Sequence, residues 1–348
     1  MRPLLSATLL VLLMEAWVRA ADTRIPVRVV VVTMFERGAD TGDQPGEFQY
    51  WVEREKLDQV LSFPHGYRAL RMNPDGVLGV VTGVGTARAA ASVMALGMDP
   101  RFDLTKAYWL VAGIAGIDPA DGSIGSAVWA EWVVDGDLAR EIDAREIPAD
   151  WKTGYVPLSR SAPYQMPAPG QDLSQTFQLN GALVDWAFHL TEHVALPDTP
   201  AMQQERTRYR LPNARRAPFV LKGDEISAST FWSGALLDQW ANDWVTYHTG
   251  GKGNYVTTAM EDSGTLQALS FLGNAGRVDP QRVLVLRTAS DFDQPPPGRT
   301  PAQALANPDL GRFAGYLPSL EAAWRVGHVV VAEILKHWSL YQDHLPHY

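Results

Sequence analysis

A run of valines near the N-terminus constrains the fold most strongly. Residues 27–33 consist of valines and a threonine, interrupted only by Arg28. Such apolar runs are typical of strands that are buried on both faces of a parallel or mixed sheet. Residues 77–81 and 107–111 form two similar runs, and a glycine-containing turn is expected after each. Helix-like segments alternate with these strands, and this alternation predicts an α/β fold.

The remaining predicted elements continue the alternation. The expected strands are 127–134, 219–224 (ending in a Gly-Asp turn), 255–258 and 283–291, and the expected helices are 88–96, 183–193, 236–244, 265–272 and 317–337. Residues 137–172 and 293–309 lack this rhythm, and we interpret them as ordered loops. The sequence therefore predicts one α/β domain over residues 21–348.

Composition narrows the possible functions. The chain has 348 residues, of which 46% are hydrophobic, and this is enough to build a full core. Its formal net charge of -9 disfavours nucleic acid and anionic membrane surfaces as partners. The sequence has no cysteine, so disulfides and thiolate metal sites are excluded.

The first twenty residues have the features of a secretory signal peptide. Arg2 supplies the positive charge, residues 4–13 are apolar, and Val18 and Ala20 are the small residues that precede a cleavage site. We predict cleavage after Ala20 and export of the mature protein to the periplasm or the medium. The alternative is a short N-terminal anchor, although the apolar run is shorter than the roughly 20 residues of a spanning helix.

Two acidic motifs follow predicted strands. Glu261 and Asp262 lie between the strand at 255–258 and the next helix, and Asp291 ends the strand at 283–291. Functional groups of α/β proteins are often found at such strand ends. If the two strands are adjacent, both carboxylates can converge on one ligand. Each acid also has a structural alternative, because Glu261 and Asp262 can cap a helix and Asp291 can stabilise a turn.

Several motifs, taken in order, resemble the nucleoside phosphorylase/nucleosidase superfamily. They are Thr82-Gly83-Val84-Gly85, Ala112-Gly113-Ile114-Ala115-Gly116, Gly223-Asp224, Met260-Glu261 and Arg287-Thr288-Ala289-Ser290-Asp291. A longer signature resembles the exported branch of that superfamily, the purine nucleoside permease family. It consists of Met34-Phe35-Glu36, residues 129–137, Phe231-Trp232-Ser233-Gly234 and Asp262-Ser263-Gly264-Thr265. The resemblance covers residues 27–338.

This resemblance implies a single α/β domain around a mixed, partly barrel-like sheet, with a purine nucleoside bound at the carboxyl ends of the strands. It implies that Glu261 holds the ribose hydroxyls, that Met260 packs under the sugar and that Asp291 contacts the purine. An acid near the end of the first strand activates water in the nucleosidases, and Glu36 is the candidate. The other substrate-binding candidates are Ser290, Phe231 or Trp232 as a base-stacking residue, Thr82, Gly83 and Gly113.

These assignments suit the cleavage of an N-ribosyl bond. The sugar gains positive charge in the transition state, as in glycoside hydrolysis, and the departing base gains negative charge. A protonated Asp291 can donate a proton to the base, which requires a raised pKa. An ionised Glu261 can accept hydrogen bonds from two sugar hydroxyls and stabilise the developing cation. In contrast, Phe231 and Trp232 could be core residues, and the glycines could serve only close packing.

Phosphate is the alternative nucleophile to water. Phosphorolysis requires a cationic site, but residues 108–111 before the second glycine motif are uncharged. Arg37, Arg88 and Arg287 could contribute, although we expect Arg287 to pair locally. The sequence therefore favours water.

No cofactor or metal is predicted. His189 and His193 have a spacing that can bind zinc, but the sequence offers no clear third ligand. The first function hypothesis is a purine nucleosidase, or less favourably a phosphorylase, in nucleoside salvage and uptake. The second is a non-catalytic nucleoside-binding protein that supports transport through a membrane partner. Members of the superfamily are commonly oligomers, so a homo-oligomer is expected unless the proline-rich loops block its interfaces.

Overall fold

A computed structural model describes residues 24–166, 176–306 and 309–348. The predicted signal peptide and its cleavage site lie outside these described residues. The described strands are β1 (Ile25–Pro26), β2 (Val29–Thr33), β3 (Gln59–Leu61), β4 (Leu70–Met72), β5 (Val77–Val81), β6 (Phe102–Asp103), β7 (Tyr108–Ile117), β8 (Ala127–Ala130), β9 (Trp132–Asp135), β10 (Ala139–Glu141), β11 (Tyr155–Pro157), β12 (Thr176–Gln178), β13 (Val220–Lys222), β14 (Asp224–Ser227), β15 (Tyr255–Ala259) and β16 (Val283–Phe292). The described α-helices are α1 (Gln49–Arg54), α2 (Thr86–Gly97), α3 (Gly181–Thr191), α4 (Pro200–Arg206), α5 (Ala235–His248), α6 (Asp262–Asn274), α7 (Pro301–Leu305), α8 (Tyr316–Lys336) and α9 (Trp338–Tyr341). Short 3-10 helices occur at Asn213–Arg215, Pro280–Arg282 and Leu310–Arg312.

Strand β7 is the centre of the main sheet. Its first half pairs in parallel with β2, where Val29 lies opposite Tyr108. Its last residues pair in antiparallel fashion with β15, where Thr258 lies opposite Gly116. Its other edge pairs in parallel with β16, where Asp291 also lies opposite Gly116. Gly116 therefore links the two strands that deliver the predicted site acids.

The strands around β7 close into a ring. Strand β16 pairs with β8, and the chain continues from β8 into β9 after Glu131. Strand β9 pairs with β14, β14 pairs with β15, and β15 returns to β7. On the other side, β2, β5, β4 and β3 extend the sheet as an open edge. This arrangement confirms the predicted α/β fold with a mixed, partly barrel-like sheet.

Helices cover the sheet and bury both of its faces. All residues of β2 are buried, as the valine run predicts. The longest helix, α8, packs on β16 and β7. It does so through a stripe that includes Leu320, Val326, Val330 and Ile334, whose spacing places them on one helical face. In the described parts of the chain, no helix combines the length and the apolarity that a membrane span requires.

Two of the turns expected after strands differ from the structure. The predicted Gly-Asp turn is wrong, because β14 begins at Asp224, whose carboxylate accepts the N–H groups of Trp132 at 2.8 Å and Asn254 at 2.7 Å. The expected turn at residues 112–116 is also wrong, because pairing with β16 carries β7 on to Ile117. The glycines of that motif therefore lie inside the central strand rather than after it.

The strands that carry the two acidic motifs are not adjacent. Strand β7 lies between them and pairs with both, β15 running antiparallel and β16 parallel to it. The acids are brought together because both strands meet the C-terminal part of β7, around Gly116. Their convergence therefore depends on the central strand rather than on direct pairing.

Helices α2 and α6 pack very closely where both begin. A Cβ atom at Gly264, in the first turn of α6, would lie 2.1 Å from the carbonyl oxygen of Thr86 at the start of α2. At the other end of the contact, a Cβ at Gly97 would lie 2.2 Å from Leu272 Cδ1. This close approach brings the backbone amide before α2 next to the residue before α6, Glu261.

We predict that Gly264→Ala lowers the free energy of unfolding by about 1–3 kcal/mol, the range for overpacked sites. The added methyl group meets a backbone oxygen, which cannot rotate away as a side chain could. Urea denaturation measures the change. Phe271→Ala, at an exposed position of the same helix, is the control and should change stability by less than about 1 kcal/mol. If Gly264→Ala is as stable as the parent, the two helices can move apart to fit the methyl group, and their close packing does not contribute to stability.

Candidate functional site

A cleft opens beside the C-terminal half of β7. It contains five of the sequence-predicted site residues, Met260, Glu261, Phe231, Ser290 and Asp291. The full lining is Met34, Phe35, Glu47, Val84, Ile114, Ala115, Gly116, Phe231, Thr258, Ala259, Met260, Glu261, Ser290, Asp291 and Leu310. Among the described residues, no lysine or arginine lines this cleft.

Glu261 is held at the junction of β15 and α6. The residue is only 4% exposed. The amide of Gly85 donates to Oε1 at 3.2 Å, and Arg287 Nη2 donates to Oε2 at 3.2 Å. Although Glu261 occupies the N-cap position of α6, its side chain makes no capping hydrogen bond. The helix-cap alternative therefore does not explain this residue.

Arg287 is the buried cation behind Glu261. Its Nε donates to Asp262 Oδ2 at 2.9 Å, and its Nη2 donates to the other oxygen of the same carboxylate. Its Nη1 donates to the carbonyl of Ile114 at 3.0 Å, and Glu225 Oε2 lies 3.7 Å from Nε. The local pairing that the sequence predicts for Arg287 is thus present. Its guanidinium is 1% exposed and four of its five N–H groups donate to protein groups, so it is not open to a ligand.

Burial raises the pKa of two carboxyls beside Arg287, those of Glu225 and Glu261. The pKa of Glu225 is raised well above its ordinary value by burial and by the neighbouring Asp262. The pKa of Glu261 is also raised by burial, although the charge of Arg287 opposes this. One guanidinium therefore faces more carboxyl groups than its single charge can neutralise.

Glu47 is a site residue that the sequence reasoning missed. Its Oε2 accepts the amide of Met34 at 2.7 Å and its Oε1 accepts the amide of Ile114 at 2.8 Å. Burial raises the pKa of Glu47 to about 8, although Arg287 opposes the shift. Gly113 makes room for this group, since a Cβ there would lie 2.6 Å from Glu47 Oε1 and 2.5 Å from Arg287 Nη1. Gly113 thus supports the site from behind the cleft.

Glu36, the predicted water-activating acid, does not line the cleft. Its carboxylate accepts the amides of Arg37 at 2.8 Å, Phe48 at 3.0 Å and Gln49 at 2.7 Å, and also that of Gly46. These bonds close the loop that precedes α1. The structure corrects the sequence prediction, because the acid that reaches the cleft is at the end of this loop, Glu47, and not at its start.

The error has a simple origin. The sequence places both Glu36 and Glu47 between β2 and α1, and nothing local shows where the intervening loop turns. The one available signal is the position of Glu47 directly before the apolar pattern of Phe48, Trp51 and Val52, which marks the start of a buried helix.

Asp291 stands at the other end of the cleft. A register shift in β16 between Ala289 and Asp291 leaves Ser290 outside the regular pairing. Ser290 Oγ donates to Asp291 Oδ1 at 2.6 Å. Burial raises the pKa of Asp291 to about 7, while the bond from Ser290 opposes the shift. Asp291 is therefore not a simple turn aspartate, but an acid whose proton is exchanged near neutral pH.

Three further predicted residues, Trp232, Thr82 and Gly83, lie outside the cleft lining. Trp232 is 7% exposed, and its ring contacts those of Trp240 and Tyr255, as the core alternative expects. It lines only a small adjoining pocket with Asp291. Thr82 is buried and donates to the carbonyl of Gly83. Phe231, in contrast, is 44% exposed at the cleft and remains the available base-stacking ring.

The other two arginines that the sequence suggested for a phosphate site, and the histidine pair, do not line the cleft. Arg37 pairs with Asp309 at 3.3 Å, and Arg88 donates to the carbonyl of Val84 at 3.4 Å. His189 lies 3.4 Å from Glu192, whereas the His193 side chain is 93% exposed. In the described ranges, no three His, Cys, Asp or Glu side chains are grouped so that they could hold a metal ion.

We predict that Asp291→Asn increases stability more at pH 8 than at pH 4. An unfolded aspartate ionises near pH 4, but the folded one keeps its proton up to about pH 7. The wild type therefore loses stability as pH rises through this window, by at most about 4 kcal/mol, whereas asparagine does not titrate. Urea denaturation at several pH values measures this. Asp58→Asn, at an exposed position, is the control, and a constant difference for Asp291→Asn across the window would contradict the prediction.

The chain matches one described protein family and two of its curated members. Residues 26–346 match the family described as purine nucleoside permease. The chain is 33% identical over 269 residues to the probable purine nucleoside permease of Schizosaccharomyces pombe, which covers 75% of this chain and 76% of that protein. It is 32% identical over 313 residues to the purine nucleoside permease of Candida albicans, which covers 85% of this chain and 76% of that protein.

Solved structures share the fold at low identity. Futalosine hydrolase of Helicobacter pylori strain 26695 superposes with a TM-score of 0.53 at 13% identity, covering 88% of this chain and 98% of that one. The 5′-methylthioadenosine/S-adenosylhomocysteine nucleosidase of Neisseria meningitidis superposes with a TM-score of 0.51 at 14% identity, covering 88% of this chain and 100% of that one. These likenesses concern the fold alone. The family match over nearly the whole chain, with two relatives above 30% identity, is decisive, and the chain belongs to the purine nucleoside permease family.

Proposed function

We propose that this protein binds purine nucleosides and cleaves their N-ribosyl bond with water. The observation that carries the proposal is that Glu47, Glu261 and Asp291 line one cleft and lie in different environments. The names of the family and of both relatives refer to purine nucleosides, and the two solved structures are those of a hydrolase and a nucleosidase. These names support the substrate class and the reaction type.

Glu261 is the group that fits the sugar. Its carboxylate is fixed by Gly85 and Arg287, so it loses little freedom when a ligand binds. Each oxygen still has capacity to accept a hydroxyl of a cis-diol, and a charge-assisted bond of this kind is stronger than a neutral one. Met260 lines the same wall and offers an apolar contact for the ring. The negative charge of Glu261 also stabilises the positive charge that develops on the sugar.

Glu47 and Asp291 divide the proton chemistry. Glu47, with a pKa of about 8, is the base that removes a proton from water when it is ionised. Asp291, with a pKa of about 7, is the acid that protonates the departing purine. A carboxyl whose pKa lies near the working pH suits either task, since it can both hold and release its proton. Glu47 takes the place that the sequence prediction gave to Glu36.

Water is favoured over phosphate by the lining of the cleft. A phosphate ion would meet Glu47, Glu261 and Asp291 without a lysine or arginine among the described lining residues. Arg287 does not offset this, because its guanidinium is already engaged with Asp262, Glu261 and Glu225. The electrostatic environment therefore disfavours a second anion beside the sugar.

The second candidate is a binding protein that supports nucleoside transport, as the word permease in the relatives' names suggests. Glu261 and Asp291 would serve binding equally well.

Our proposal also includes export through the predicted signal peptide, which mass measurement of the mature N-terminus tests. A first residue other than Ala21 would contradict cleavage after Ala20.

The direct test is incubation of the purified protein with inosine or adenosine, with and without phosphate. We expect free ribose and free base in both conditions. Glu47→Gln should reduce kcat by about 100-fold or more, in the range of lost general-base catalysis, while substrate still binds. Asp58→Asn is the matched control on an exposed carboxyl. If ribose 1-phosphate forms, and only when phosphate is present, the nucleophile is phosphate rather than water. If nucleoside binds but is not cleaved, the protein is a binding protein rather than an enzyme.

We further predict a bell-shaped dependence of kcat/KM on pH, with its maximum between about pH 7 and pH 8. The active form carries its one proton on Asp291 and none on Glu47, and because the pKa of Glu47 is the higher of the two, this form is the minor one of the two singly protonated states. Below pH 7 both carboxyls are protonated, so Glu47 cannot act as a base. Above pH 8 both are ionised, so Asp291 cannot act as an acid. The residual activity of Asp291→Asn should rise to a plateau above pH 8, because only Glu47 still titrates. A profile that is flat from pH 6 to pH 9 would exclude these roles.

A further inference from the structure

A second cavity adjoins the cleft at its Asp291 end. Phe231, Ser290 and Asp291 line both spaces, so only these side chains lie between the cavity and the cleft. Its volume is about 270 Å³, compared with about 90 Å³ for the cleft that Glu47 and Glu261 line. Of these two spaces, the larger therefore lies next to the acid that the proposed function assigns to the base.

The walls of this cavity are aromatic. Tyr209 packs against Phe292 with ring centroids 4.0 Å apart, and its hydroxyl donates to the carbonyl of Gln294 at 2.9 Å. Phe313 and Phe231 also line the space. Tyr209 and Phe292 are buried, and the hydrogen bond fixes the orientation of the tyrosine ring. Such walls suit the carbon part of a ligand.

The cavity also carries an excess of positive charge. Arg208, Arg299 and Arg312 line it, whereas Glu205 and Asp291 are its acids. Arg208 is neutralised by Glu205 at 2.8 Å, and Arg312 lies 3.6 Å from Asp309. Arg299 donates to the carbonyl of Gln303 at 2.7 Å and forms no ion pair with any described residue. A guanidinium with remaining donors at the edge of an aromatic cavity is suited to a carboxylate.

We propose that this cavity is a subsite for an anionic substituent on the purine, so that the substrates include nucleosides whose base carries a carboxylated group on its exocyclic nitrogen. The proposal rests on the proposed function, because it takes the sugar to lie at Glu261 and the base edge at Asp291. A substituent on that edge enters the cavity along its aromatic wall and reaches Arg299 at the rim. Unsubstituted purine nucleosides would leave the cavity to water.

Calorimetry on the full chain tests this with three probes: adenosine, N6-butyladenosine and N6-(1,2-dicarboxyethyl)adenosine. We expect the dicarboxylate to bind about tenfold more tightly than adenosine, as one charge-assisted hydrogen bond provides. The increase in affinity over adenosine should be smaller for N6-butyladenosine. In Arg299→Gln the ratio of the affinity for the dicarboxylate to the affinity for adenosine should fall toward one. Arg210→Gln, an exposed arginine on the neighbouring segment that does not line the cavity, should keep the ratio of the parent.

The outcomes separate this inference from the function on which it rests. If adenosine itself does not bind, the proposed function fails. If adenosine binds and the dicarboxylate binds more weakly, the cavity does not admit the substituent and only the subsite is refuted. An equal gain for the butyl and dicarboxyl probes, or a ratio unchanged in Arg299→Gln, would also refute it, because the charge would then have no effect.

Discussion

The buried ion pair of Arg287 with Asp262 and Glu261 is the interaction on which the site depends. Arg287 is 1% exposed, and its guanidinium also donates to the backbone of β7 through Ile114. It therefore ties the central strand, β16 and the start of α6 to one point. Removing one partner of such a buried pair leaves an uncompensated charge, with a destabilisation of about 3–5 kcal/mol. The close approach of Arg287 to β7 is possible only because residue 113 is a glycine.

The same cluster bears on the raised pKa of Glu47, the nearest acid of the cleft. One guanidinium is surrounded by Asp262, Glu261 and Glu225, so little of its charge remains to stabilise an ionised Glu47. Asp291, at the other end of the cleft, has only the hydroxyl of Ser290 to oppose its burial. The pKa values of both acids are consequently governed by desolvation. Burial of both acids, with little positive charge available to oppose it, is thus the physical origin of proton exchange near neutral pH.

Much of the fold could be predicted because its signals are local. The valine run of β2 and the acids at the ends of β15 and β16 are visible in short windows of sequence. What could not be predicted depends on contacts between distant segments. The position of β7 between β15 and β16 follows from sheet pairing, and the entry of Glu47 into the cleft follows from a loop that Glu36 closes through backbone amides. No short window contains either relation.

Glu47 also bears on the choice between an enzyme and a binding protein. Glu261 alone provides the carboxylate that a cis-diol needs, so recognition of the sugar does not require a second buried acid beside it. An acid whose pKa is raised by burial destabilises the folded chain at alkaline pH, since ionisation of the folded form is disfavoured. Such a group is expected where a proton must be taken up or released. Its two backbone bonds, from Met34 and Ile114, fix it in the cleft rather than let it turn to solvent. This geometry favours turnover over binding alone.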